Sequence, residues 1–207
     1  ANRHTAVKGG VFDLGGDGEL NGVIRENALD WFNERLPART VDEIKEAICA
    51  AAGEALRYGI TTVHTSDLHS CSFDVMYAAY MQLKEEGRLP LRICQQLYMP
   101  DLLQLEEYLS KGLKPFRDDG FFRLGPVKLL TDGCLGARTA ALRQDYSDDP
   151  GNRGMNIYEQ EELNALVLRV HEAGMQLFIH AIGDAALENS LDAIENALKI
   201  CPASHRH

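Results

Sequence analysis

The sequence predicts an α/β fold of parallel βα units of the (β/α)8 barrel type, here a partial barrel of about four units behind a Gly-rich β segment at the N-terminus. Three observations carry that prediction. From residue 40 onward, apolar strand-like runs alternate with helical patterns and no hairpin turn joins one run to the next, which requires parallel pairing and right-handed crossovers. The helical patterns end at glycines, Gly59, Gly87, Gly112 and Gly174, which supply the left-handed stop of a helix. Polar residues foreign to apolar strands, His64, Lys128 and His180, stand at or near C-terminal strand ends. A doubly wound open sheet fits the alternation too, but that face is where a barrel gathers its active site.

Residues 9–24, GGVFDLGGDGELNGVI, place Gly15-Gly16, Asp17-Gly18 and Asn21-Gly22 between short apolar pieces, so short strands or hairpins are expected within a segment 1–24. The spacing Gly16, Gly18, Gly22 is one residue too long for a G-x-G-x-x-G phosphate loop. Residues 25–207 form the barrel part. Thr40 with Glu43 makes a capping-box pattern for a helix to Tyr58, and Ile60 to His64 (ITTVH) is β-branched and apolar. Ser72 to Glu86 is helical, Leu91 to Tyr98 strand-like, and Asp101 can cap a helix running to Lys111. Val127 to Thr131 is the next strand, followed by a long Asp-, Gly- and Asn-rich loop to about Asn156. Glu159 to Ala173 is an amphipathic helix, Met175 to His180 a strand, and Asp184 to Ile200 a last helix before Pro202.

The composition is that of an ordinary globular chain, and its net charge of −10 argues against nucleic acid or an anionic membrane surface as partner. Five dispersed cysteines without a C-x-x-C read as free thiols in a reducing compartment. No apolar run is long enough to span a bilayer and the start ANRHTAVK lacks the apolar core of a signal peptide, so a cytoplasmic location is expected.

Lys128 lies inside an apolar strand, where an unpaired ammonium is costly. It is open to three readings: an ion pair, a Schiff-base nucleophile, or a carbamate formed with carbon dioxide that ligates metal. The third gains weight because His180 ends the next strand, and imidazole with an anionic oxygen makes a usable divalent metal site.

GPVKLLTDGCLGARTAAL, the YSDDPGNRG loop and MQLFIHAIGDAALENSLDAIE together resemble the amidohydrolase superfamily, in its family 3 branch of N-substituted formamide deformylase-like enzymes. RENALDWF and YGITTVHTS resemble upstream segments of the same branch, so the resemblance covers nearly the whole chain. It implies a metal-dependent barrel that hydrolyses carbon–nitrogen bonds other than peptide bonds, in small-molecule amides or cyclic amides, with one or two divalent ions, zinc first. On this resemblance Lys128 looks like the fourth-strand lysine that bridges metals when carboxylated, and His180 like the fifth-strand ligand. The metal would acidify a bound water and polarise the substrate carbonyl. Asp132, beyond the lysine strand, is a candidate catalytic and substrate-orienting residue with a turn-forming Asp-Gly as its plain alternative. Arg138 and His64 are candidate pocket residues, with a solvated loop arginine and a hydrogen-bonded strand-end histidine as the alternatives.

The family opens its barrel with an H-x-H pair and continues past a segment like SHRH to a further ligand histidine and an aspartate. Neither set is found here, so the sequence reads as an internal fragment, catalytically incomplete and without its full metal set. His205 and His207 form an H-x-H that resembles the lead-in to a sixth strand, His69 sits in a loop, and His171 lies where a helix C-terminus favours a cation. Two other classes compete. A non-catalytic binding or assembly module would keep the scaffold and self-associate through exposed sheet edges. A lysine-dependent aldolase-like barrel would leave His180 without a task.

Overall fold

The computed structural model describes residues 4–68, 71–115, 120–202 and 207. The first six elements are β1 (Gly10–Leu14), β2 (Leu20–Glu26), α1 (Ala28–Asn33), α2 (Val41–Arg57), β3 (Thr62–Thr65) and α3 (Phe73–Glu85). There follow β4 (Arg92–Tyr98), α4 (Leu102–Ser110), β5 (Phe122–Leu130), α5 (Gln160–Glu172), β6 (Leu177–His180) and α6 (Asp184–Ile200). They fall into two compact units, one of Ala1–Pro37, Leu130–Arg169 and Ile179–Ser204, the other of Ala38–Leu129, Val170–Phe178 and His205–His207.

The second unit carries most of a four-stranded sheet in the order β3-β4-β5-β6, with β3 and β4, and β4 and β5, paired in parallel. Helices connect successive strands, so the arrangement is the partial (β/α) barrel the sequence predicts. Fully buried Tyr80, Leu83, Leu97, Leu105 and Leu129 fill the core, and the Tyr80 ring stacks on Phe122 at 4.8 Å. Asp67 accepts from Tyr80 Oη at 2.5 Å and Gln95 Nε2 at 3.1 Å. Burial beside Asp67 raises the Tyr80 phenol well above its usual range.

Where helices stop explains where strands start. Gly59, Gly87 and Gly174 have φ of 77°, 66° and 70°, and each closes a Schellman motif. Ile60 N donates to Ala55 O at 3.1 Å, Arg88 N to Leu83 O at 2.8 Å, and Met175 N to Val170 O at 3.2 Å. The strands expected from Ile60 and Met175 therefore begin at Thr62 and Leu177, because the earlier amides are still capping helices.

A second difference concerns β5, expected from Val127 but running from Phe122. The register moves from Gln95↔Leu124 to Leu97↔Val127, so Gly125 and Pro126 stand opposite Gln96 in a bulge. A bulge tolerates the missing proline N–H. A Cβ at Gly125 would lie 2.8 Å from Gln95 O and 2.9 Å from Cys94 Sγ, so only glycine lets the strands approach there.

In the first unit β1 and β2 pair antiparallel around a turn in which Gly15 N donates to Glu19 O at 2.7 Å. Trp31 of α1 meets Phe12 edge-on at 5.5 Å, and Ala28 is fully buried. Six residues without a side-chain cap make α1 too short to leave a periodic signal. α6 buries the small residues Ala186, Ser190, Ala193 and Ala197. Among the described residues no helix is long and apolar enough to cross a membrane.

Asp101 caps α4 by accepting from Gln104 N at 2.8 Å, whereas the Ser72 side chain caps nothing on α3. Asp101→Ala is expected to cost about 1 kcal/mol in urea unfolding. Ser72→Ala should change stability by less than about 0.5 kcal/mol, and equal losses in the two variants would refute the distinction.

Candidate metal-binding site

The first unit contains the ends of β5 and β6 and the loops that leave them. Thr131 pins the end of β6 twice, its amide donating to His180 O at 3.0 Å and its hydroxyl at 2.6 Å. The next residue organises the loops. Asp132 is 2% exposed; its Oδ1 accepts from Ile182 N at 3.0 Å, and its Oδ2 from Gly183 N at 2.7 Å and Ala141 N at 3.0 Å. A buried carboxylate is tolerable here because three amides and the N-terminus of α6 meet its charge. The same turn is too tight for a side chain at Gly183, where a Cβ would collide with the Ala141 carbonyl. Asp132 thus joins three segments through their backbones.

His180 Nε2 lies 2.9 Å from the Gly133 carbonyl oxygen and 3.6 Å from Asp132 Oδ1. A carbonyl only accepts, so this contact assigns the proton to Nε2 and, in the neutral ring, leaves the lone pair on Nδ1. That is the arrangement in which a metal-ligating histidine is held, one nitrogen donating to a backbone carbonyl and the other free to coordinate. The imidazole is about a third exposed, open to a ligand on one side.

From Gly133 the chain makes a turn to Thr139, in which Cys134 N donates to Thr139 Oγ1 at 3.0 Å. Arg138, at φ 58°, directs its guanidinium to Asp148, with Nε 3.0 Å from Oδ1. Arg138 is thus bound within its own loop. Tyr146 Oη closes the loop onto Ala140 O at 2.8 Å. Sequence reasoning missed Glu26, the last residue of β2, whose Oε1 accepts from Thr139 Oγ1 at 2.6 Å. Its only signal was its place in RENALDWF.

The second unit holds Lys128 and His64. Lys128 is 8% exposed, no carboxylate among the described residues is within ion-pair distance of it, and its Nζ lies 4.5 Å from the centroid of the Phe178 ring. The ion-pair reading therefore loses its partner, and burial holds the ammonium below the ordinary lysine range. His64 is exposed on β3, in register with Cys94. His171, in the last turn of α5, is buried with its Nδ1 2.8 Å from His207 Nε2. His69 and His205 lie outside the described residues. Among the described residues, no three of His, Cys, Asp and Glu gather into a ready metal cage.

The profile of the amidohydrolase family matches residues 1–205. YtcJ of Bacillus subtilis (strain 168) is 33% identical over 200 residues, covering 96% of this chain and 36% of YtcJ. Protein LONG AFTER FAR-RED 3 of Arabidopsis thaliana is 30% identical over 192 residues, covering 86% and 31% respectively. A crystal structure of an uncharacterized metal-dependent hydrolase from Pyrococcus horikoshii OT3 superposes with a TM-score of 0.66 at 32% identity, covering 92% of this chain and 37% of that one. The chain thus spans about a third of the length of these relatives.

Two outcomes are expected. Asp132→Ala leaves three buried amides without their charged acceptor and should cost about 3 kcal/mol or more in urea unfolding; a loss below about 1 kcal/mol would show that the hub is dispensable. Lys128→Met should raise the urea midpoint at pH 7. Between the lowered folded-state value and the ordinary lysine value the unfolded chain binds more protons, so wild-type stability rises with pH and the gap to the variant should close. A gap that is constant or widens toward alkaline pH would contradict the burial of an unpaired lysine.

Proposed function

The chain belongs to the amidohydrolase family, and on that premise we propose that the protein is a metal-dependent hydrolase of carbon–nitrogen bonds other than peptide bonds, acting on small amides or cyclic amides. The observation that carries this reading is the His180 ring, fixed through Nε2 on Gly133 with Nδ1 left over. Such a nitrogen suits a divalent ion, zinc first among those a nitrogen and oxygen set accepts.

Lys128 is the second proposed ligand. Burial lowers the pKa of this amine and no carboxylate among the described residues pairs with it, which favours the neutral form that is nucleophilic toward carbon dioxide. The carbon–nitrogen bond forms as one amine proton is lost, and the product is an anionic oxygen donor. The chemistry a divalent ion supplies when bound is Lewis acidity toward water and toward an amide carbonyl. Within its own unit, each residue meets the local condition for its role. Asp132, its carboxylate fixed by three backbone amides, holds the segments around His180 and remains the proposed catalytic and substrate-orienting residue. Arg138, held in its loop by Asp148, and His64, exposed on β3, remain proposed substrate contacts.

Two protein ligands do not close a hydrolytic site, so the 207-residue chain alone is proposed to hold metal weakly and to be inactive. Zinc titration of this chain in 13C-bicarbonate tests the reading. A carbamate resonance should appear and vanish in Lys128→Ala, and zinc affinity should fall about tenfold or more in His180→Ala. Unchanged zinc affinity in both variants would sink the assignment.

A further inference from the structure

Among the described residues, two that are not glycine hold left-handed backbone, Glu26 at φ 50° and Arg138 at φ 58°. Such strain persists only where the surroundings enforce it. Both residues lie at one turn, Arg138 within it and Glu26 bonded to Thr139, which follows Arg138. The Glu26 carboxylate accepts from the Thr139 hydroxyl at 2.6 Å, and that hydroxyl oxygen accepts from Cys134 N at 3.0 Å. Gly133 N donates to Thr139 O at 3.3 Å, which closes the turn. A Cβ on Gly133 would run into both Thr139 Oγ1 and Glu26 Oε1, so the carboxylate lies directly against the glycine backbone.

The neighbouring side chain grips the same turn. Arg25 donates to Ala137 O, and its guanidinium is fixed by Asp13, which accepts from Nε at 2.8 and 3.0 Å and from Nη2 at 2.6 Å. The end of β2 therefore holds the turn whose first carbonyl, Gly133 O, receives His180 Nε2 at 2.9 Å. This grip comes from a hairpin more than a hundred residues away in sequence, and the β5–β6 loop adds its own hold on the turn, with Met155 N donating to Thr139 O at 3.2 Å.

We infer that Glu26 is a positioning residue: through Thr139 its carboxylate sets the Gly133 carbonyl that keeps the His180 imidazole in its Nε2–H form, with Nδ1 free to coordinate. The inference rests on the ligand role proposed for His180. A clamp that served stability alone would have no effect on which ring nitrogen carries the proton.

The test reads the ring directly, in the metal-free 207-residue chain labelled with 15N-histidine, with His180 assigned by comparison with His180→Gln. The wild type should show two widely separated ring 15N resonances with Nε2 protonated. Glu26→Ala and Thr139→Val should each narrow that separation as the tautomers mix, and the double variant should go no further than either single one. Glu26→Gln, which keeps an acceptor oxygen for Thr139, should restore the wild-type pattern. Should Glu26→Ala not fold, as judged by circular dichroism, Thr139→Val against Thr139→Ser carries the same comparison. Unchanged His180 resonances in folded Glu26→Ala and Thr139→Val would overturn the inference. Zinc addition separates it from the reading beneath: zinc that leaves the wild-type His180 resonances unmoved counts against the ligand role. If zinc binds, Glu26→Ala should weaken it about tenfold and Glu26→Gln should not.

Discussion

The arrangement around His180 depends on one buried carboxylate. Asp132 is almost wholly removed from water, and a charge so placed is tolerable only if donors replace its hydration. Three backbone amides do so, drawn from the loop at Ala141 and the turn at Ile182 and Gly183 ahead of α6. Because the donors are main-chain groups, satisfying the charge also fixes the path of the chain. Gly133, next in sequence, then presents its carbonyl to His180, and the imidazole's tautomer follows from that contact.

Lys128 illustrates the opposite condition. Its charge has no compensating carboxylate among the described residues and only an aromatic face nearby, so the neutral amine gains on the ammonium. A group kept short of its preferred partner costs stability in the unliganded protein, which is a common property of residues retained for chemistry. Asp132 and Lys128 are both buried, but three amides meet the carboxylate while no carboxylate among the described residues meets the amine.

Much of this was legible in the sequence. The glycines that end α2, α3 and α5 announced those ends because the Schellman geometry needs a left-handed residue. The strand starts were not legible, since Ile60 and Met175 look like strand residues while their amides still serve the preceding helix. The strand expected from Val127 starts at Phe122, because a bulge at Gly125-Pro126 is a property of two strands together, and one strand's sequence does not show it. His180 stood out as a polar residue closing an apolar run. Its partner could not, because Gly133 acts through a carbonyl that every residue type possesses. Glu26 was hidden for a related reason: its partner Thr139 lies 113 residues along the chain, and no local pattern links them.

The central claim is that the Asp132 and Gly133 framework leaves His180 Nδ1 as the coordinating nitrogen. A crystal structure of the zinc-loaded protein, with the metal located by anomalous scattering, tests it most directly. The account predicts zinc about 2.0–2.1 Å from Nδ1 with the Nε2 contact to Gly133 O intact. Zinc bound through Nε2 with that contact broken, or zinc bound away from His180, would contradict it.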